Sequence, residues 1–183
     1  PEGINIDALM QEAAPETVLF EILHPLGFNT AQTRDIYRTL DGQSGKAFAT
    51  SGWRVIKDRD SLLIEPIQKV VKPLLEIKEY PYTPDFMIPR DRATACFDAD
   101  KLKHPLSLRL CRQGDRFVPF GMRGRKKVSD YLTDRKFSLL HKERQWVLCC
   151  GDDIIWLVGE RADNRFRIDE KTRKVLVIST TDR

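Results

Sequence analysis

The sequence predicts an α+β protein: a small helical and hairpin unit followed by a C-terminal mixed β-sheet domain with short helices. Three observations lead there. Apolar residues recur at helical spacing over residues 15–41, as in Val18, Leu19, Ile22, Leu23 and Leu26. Runs of branched and aromatic residues around turn signals follow, as in WRVIKDRDSLLIE and WVLCCGDDIIWLVG. Between these regions, residues 66–90 hold Pro66, Pro73, Pro81, Pro84 and Pro89, which argues against a long regular element and predicts a joint.

Taken in order, Pro15 suits the first turn of a helix that Gly27 stops. Asn29 followed by Gln32 predicts a capping box opening a second helix through Ile36, Tyr37 and Leu40 to Asp41-Gly42. WRVIKDRDSLLIE reads as a β-hairpin around Asp58-Arg59-Asp60. VVKPLLEI and ATACFDAD are strand-like and could pair across the proline-rich joint. LSLRLCR alternates like a half-buried strand, and Ser129-Asp130 opens a short helix with Tyr131 and Leu132. WVLCC and IIWLVG form a hairpin about Gly151-Asp152-Asp153, and KVLVIST a closing strand. The expected divisions are 1–68, a connecting segment 69–104, and 105–183.

Composition narrows the classes. Of the 183 residues, 41% are hydrophobic and 32% charged, as in a folded globule and unlike a disordered chain. No apolar run approaches the roughly 20 residues of a membrane helix. The sequence opens at Pro1 with neither a basic leader nor an apolar signal region. It therefore reads as a piece of a longer, cytoplasmic protein with no membrane partner. Cys96, Cys111, Cys149 and Cys150 lack C-x-x-C spacing, and His24, His104 and His141 are scattered. Reduced thiols and no metal site are expected.

Several candidate chemistries fail on spacing. GQSGKAF (Gly42–Phe48) resembles a phosphate-binding loop, but its glycine interval is short and Ala47 stands where a Ser or Thr is needed. A helix-ending turn is the better reading. Asp98 and Asp100 lack a third carboxylate for a two-metal site, so a solvated strand end is expected. No Ser-His-Asp set is present, and no catalytic residue is assigned. Phe117, Phe120, Trp146, Trp53 and Trp156 are expected mostly in cores.

Charge is where the sequence is most specific. Arg112 to Arg144 holds ten basic residues against four acidic ones, a net of +6 in a chain of net +4. Positive charge is thus concentrated, as a polyanion-binding surface requires. GMRG (Gly121–Gly124), followed by Arg125-Lys126-Lys127, imitates a KH-type backbone-clamping loop, although Pro119 disfavours the helix such a loop follows. A plain solvated turn is the competing reading. Lys46, Arg54 and Arg59 are weaker candidates for the same surface.

GDRFVPFGMRGRKKVSDYLTDRK, continuing to IIWLVGERADNRFRIDEKTRKVL, resembles the C-terminal domain of the tRNA(Ile)-lysidine synthase family. LGFNTAQTRDIYRTLDGQSGKAF and WRVIKDRDSLLI resemble that family's middle domain, and ACFDADKLKHPLSLRLCRQGDRF the approach to its last one. The resemblance implies a bacterial ATP-dependent ligase. It adenylates the wobble cytidine of an isoleucine tRNA with a CAU anticodon and joins it to free lysine, releasing AMP. That chemistry belongs to a PP-loop domain with an SGGxDS-like motif, absent from these residues. The chain is then expected to hold tRNA(Ile), at the acceptor stem, and to be inactive alone. ATP, Mg²⁺ and lysine would bind the other domain, and a homodimer is compatible.

The implied fold is a layered sheet assembly similar to a module of the phenylalanyl-tRNA synthetase β subunit. Arg112, Arg116, Arg123, Lys126 and Lys127 match the family's basic positions, with Arg125, Lys136 and Arg144 completing the expected RNA-binding set. Asp115 is expected to orient Arg116 or form a turn. The alternatives from other classes are a stand-alone RNA-binding module and a protein-interaction domain.

Overall fold

The computed structural model describes residues 2–67 and 70–181, which form two compact units, Pro1–Lys69 and Val70–Arg183. In the first, β1 (Glu2–Asn5) leads into α1 (Ile6–Met10), α2 (Pro15–Leu23) and α3 (Thr30–Tyr37). The strands β2 (Ala47–Ala49), β3 (Trp53–Asp58) and β4 (Ser61–Pro66) follow. The sheet runs β1-β4-β3-β2, antiparallel at each pairing. Gly27 ends the turn after α2 in the left-handed conformation (φ 89°), which suits a residue without Cβ. At α3 the capping box forms as the spacing predicts: Gln32 N donates to Asn29 Oδ1 and Asn29 N to Gln32 Oε1. Leu19, Leu23 and Ile36 of the helices pack with Val55 and Leu62 of the sheet in one core. Neither β1 nor α1 is visible in the pattern, because four- and five-residue elements carry too few periods.

In the second unit the described residues form nine strands arranged as three sheets. They are β5 (Leu74–Pro81), β6 (Thr94–Asp98), β7 (Leu106–Leu110), β8 (Arg116–Phe117), β9 (Lys126–Lys127), β10 (Trp146–Cys150), β11 (Asp153–Leu157), β12 (Arg161–Ala162) and β13 (Lys174–Thr181). Helices α4 (Val128–Asp134) and α5 (Leu139–Glu143) fall between β9 and β10. The sheet orders are β5-β13-β6, β12-β11-β10-β7 and β8-β9.

The central four-stranded sheet is covered on both faces. Leu148, Cys150, Ile155 and Trp156 meet Phe97 and Ile178 of the three-stranded sheet. Val147, Cys149, Ile154 and Leu157 meet Phe117 and the α4 residues Val128, Tyr131 and Leu132. Adjacent Cys149 and Cys150 therefore enter different cores, as strand alternation dictates. All four cysteines are unbridged. The α+β class is as the sequence predicts.

Four expectations are corrected. Residues 69–104 are not merely a connecting segment, since β5 and β6 lie within them and belong to the second unit's sheet. Pro81 is tolerated because it is the last residue of an edge strand, and Pro73 lies just outside it. VVKPLLEI and ATACFDAD do not pair directly, because β13 lies between them. Asp98 is not solvated: at 4% exposure it accepts from Asp100 N and from Thr172 Oγ1 at 2.9 Å, fastening the end of β6. Helix α4 begins at Val128 rather than at Ser129-Asp130, with Lys127 in the cap position.

Candidate nucleic-acid interface

The basic segment folds as a hairpin whose two short strands are β8 and β9. Arg116 faces Lys127 and Phe117 faces Lys126. Phe117 is fully buried and meets the Tyr131 ring edge-on, with centroids 5.2 Å apart. Alternation therefore directs Arg116 and Lys127 to the opposite, outer face, where both are exposed. Facing residues of an antiparallel pair have Cβ atoms about 4.5–5.5 Å apart, so two cations are held side by side. Lys126, on the Phe117 side, is half-buried and ion-paired with Asp134 at the end of α4.

Two carboxylates fix this hairpin from below. Asp115 accepts both Arg109 Nη atoms (2.7 and 2.9 Å) and Arg112 N (2.8 Å), while its carbonyl accepts Val128 N. Burial works to raise the Asp115 carboxyl, but the Arg109 and Arg112 hydrogen bonds outweigh it and hold it below the usual carboxylate range. Asp163 is wholly buried and accepts Val118 N, Arg165 N and the Arg165 guanidinium at 2.8–3.0 Å. That bidentate pairing raises the Arg165 pKa against the effect of burial. Phe120 N donates to Ala162 O, Gly121 N to Asn164 Oδ1, and Asn164 N to Val118 O. The base of the loop is thus rigid.

Its tip is not so held. Gly121 adopts φ 88°, and Arg123, Gly124 and Arg125 are exposed together with Met122 and Phe120. Phe120 is 51% exposed, against its expected place in a core. Arg125 reaches Asp153 only at 3.9 Å between exposed groups. GMRG lies in a hairpin loop rather than between two helices.

The expected RNA-binding residues divide accordingly. Arg112, Arg116, Arg123, Arg125 and Lys127 gather on the hairpin and its approach, exposed. Lys126 is engaged by Asp134. Lys136 is exposed in the turn after α4, in the left-handed region (φ 60°), and Arg144 caps α5. Asp115 orients Arg109 and the Arg112 backbone, not Arg116. Arg54 is committed to Glu65 at 2.6 Å across β3 and β4. GQSGK is a turn after α3, with Gly45 at φ 109°, and Ala47-Phe48 already belong to β2. Among the described residues no group of three or more His, Cys, Asp or Glu gathers as a metal centre requires, and no helix is long and apolar enough to cross a membrane. Sequence reasoning missed the anchors Arg109, Asp163 and Arg165: the Arg109–Asp115 and Asp163–Arg165 pairs span only six and two residues but match no motif spacing, and the Asp163 bond to Val118 N spans 45 residues.

The fold and site define a two-unit α+β protein that mounts a cationic hairpin loop on a layered β domain. Its first unit matches the TilS substrate binding domain over residues 2–67, and the second the TilS substrate C-terminal domain over residues 106–179. The tRNA(Ile)-lysidine synthase of Bacteroides thetaiotaomicron is 61% identical across 97% of this chain and 42% of that protein. The enzyme of Parabacteroides distasonis is 46% identical across 97% and 44%, and that of Porphyromonas gingivalis 32% identical across 92% and 42%. The chain belongs to the tRNA(Ile)-lysidine synthase family. It spans less than half the length of these curated relatives. A crystal structure of a TilS C-terminal domain aligns with a TM-score of 0.47 at 18% identity, covering 72% of this chain and 87% of that one. An N-terminal fragment of the Pyrococcus horikoshii phenylalanyl-tRNA synthetase β subunit gives 0.41 at 18% identity, covering 48% and 27%.

Proposed function

We propose that this chain is the tRNA-holding portion of a tRNA(Ile)-lysidine synthase, gripping the acceptor stem while another part of the enzyme modifies the anticodon. The observation that carries the reading is the Arg116–Lys127 pair beside Arg123 and Arg125. Like charges fixed side by side repel on an empty surface, and a phosphate backbone relieves that repulsion as counterions leave. The anchored base and glycine-bearing tip supply rigid placement with room for close backbone approach. Duplex RNA is recognised mainly through shape and phosphates, which suits a loop of cations without a base-reading helix. ATP, Mg²⁺ and lysine are assigned to the portion of the enzyme outside this chain, and the working location is the cytoplasm.

The test is binding of unmodified tRNA(Ile) as salt is varied. With roughly four to six phosphates engaged, log K falls against log salt with a slope of about −3 to −5. An acceptor-stem minihelix competes, and an anticodon stem-loop does not. A flat salt response, or no binding at low ionic strength, overturns the reading. Mixed with ATP, lysine and tRNA, the chain alone releases no AMP.

A further inference from the structure

A cleft of about 490 Å³ opens in the second unit beside the basic hairpin, within the range of about 300–1,000 Å³ that small-ligand sites occupy. Its apolar lining includes Trp156, Ile168, Ala162 and the half-exposed ring of Phe120. Arg90, Arg92, Arg135 and Arg161 line it too, against only Asp91 and Glu160. Glu160, its side chain 4% exposed, is already occupied. It accepts from Arg135 Nε at 2.8 Å and from Tyr131 OH at 3.1 Å, and pairs with Arg92 at 3.4 Å. Arg90 and Arg161 have no ion-pair partner among the described residues, and the cleft keeps an excess of positive charge.

We propose that this cleft receives one unpaired nucleotide of the bound RNA, its base stacked on Phe120 and its phosphate met by Arg90 and Arg161. Aromatic faces and guanidinium planes are the groups on which splayed bases stack. Phe120 belongs to both features: it lines the cleft, and it stands in the loop that carries Arg123 and Arg125. An RNA backbone on those arginines therefore lies next to the cleft mouth. This inference rests on the RNA-binding reading above and adds a second, aromatic mode of contact to its phosphate contacts.

The experiment compares a blunt RNA hairpin with the same hairpin bearing a short 3′ single-stranded extension that contains 2-aminopurine. The extension tightens binding by about 5- to 150-fold, the range of one base–aromatic stack, and the 2-aminopurine emission is quenched. Phe120→Ala removes that gain and the quenching, the gain being read in each variant as the ratio of its affinities for the two RNAs, and Phe120→Trp restores both. At 51% exposure Phe120 lies outside the buried cores, so its truncation leaves them packed. Equal affinity for the two RNAs, or an unchanged gain in Phe120→Ala, overturns the cleft assignment and leaves the cationic loop standing. Failure of both RNAs to bind at low salt overturns the RNA reading and the cleft with it.

Discussion

Arg116 stands directly opposite Lys127 across the β8–β9 ribbon, and neither has an ion-pair partner among the described residues. Such placement of like charges weakens a strand pair, so the ribbon gives up stability to keep it. Lys127→Glu makes the pair attractive. It is expected to raise stability by about 0.2–1 kcal/mol and to weaken tRNA binding. Thermal unfolding beside filter binding measures both, and a variant that loses stability along with binding contradicts the assignment.

Lys126 behaves differently from its neighbour despite the shared sequence context. It faces the Phe117 side and pairs with Asp134. Lys126→Ala is expected to cost up to about 1 kcal/mol of stability while changing the salt slope of tRNA binding less than Lys127→Ala does. Equal slopes for the two variants would place both lysines on the RNA.

Asp115 links acid stability to the shape of the hairpin. Its folded pKa is depressed, so its contribution is present above the ordinary carboxylate value of 3.8 and is lost as pH falls through the lower folded value. Asp115→Asn is expected to cost about 1–3 kcal/mol at pH 7, because the Arg109 guanidinium loses a charged acceptor. The difference from the parent should narrow as pH falls below that value. Denaturant titrations at pH 7 and pH 3 check the sign, and a gap that widens in acid refutes it.

Asp163 is the deeper anchor, with no exposure and four donors. Asp163→Ala leaves Val118 N without its acceptor and Arg165 with only its Asp153 partner, and a loss of about 1–3 kcal/mol is expected. Hydrogen exchange at the Val118 and Phe120 amides should accelerate before the rest of the second unit opens. Unchanged protection there would mean the loop is held by other contacts.

Burial raises the thiol pKa of Cys96 to about 11 and of Cys111 to about 12. Little thiolate exists near pH 8, so iodoacetamide should label both slowly in the folded chain and quickly after unfolding. Rapid labelling of the native protein would contradict this.

The legible parts of the molecule are those whose partners lie nearby in sequence. The Asn29–Gln32 cap, the β3–β4 and β10–β11 hairpins and the cationic run each carry their own signal. WVLCC is apolar throughout because β10 is covered on both faces, which is why it stands out. The proline stretch misleads because strand exclusion by proline applies to central strands, and β5 lies at an edge. Of the two roles expected for Asp115 the turn-forming one holds, since it closes the turn from Arg112, whereas its choice of Arg109 over Arg116 depends on the register of β7 against that turn. Phe120 shares its composition with Phe117, and only the loop's path separates an anchored ring from a presented one.

The insertion of β13 between β5 and β6 has a kinetic corollary. Its partners lie far back along the polypeptide: Ile178 pairs with Ile77, about a hundred residues earlier. Until that late strand docks, two earlier segments remain unsatisfied edges, inviting mispairing with other copies. Non-local topologies of this kind reach their native state slowly, on millisecond-to-second scales. Nascent chains stalled before Lys174 should accordingly be aggregation-prone and sensitive to protease.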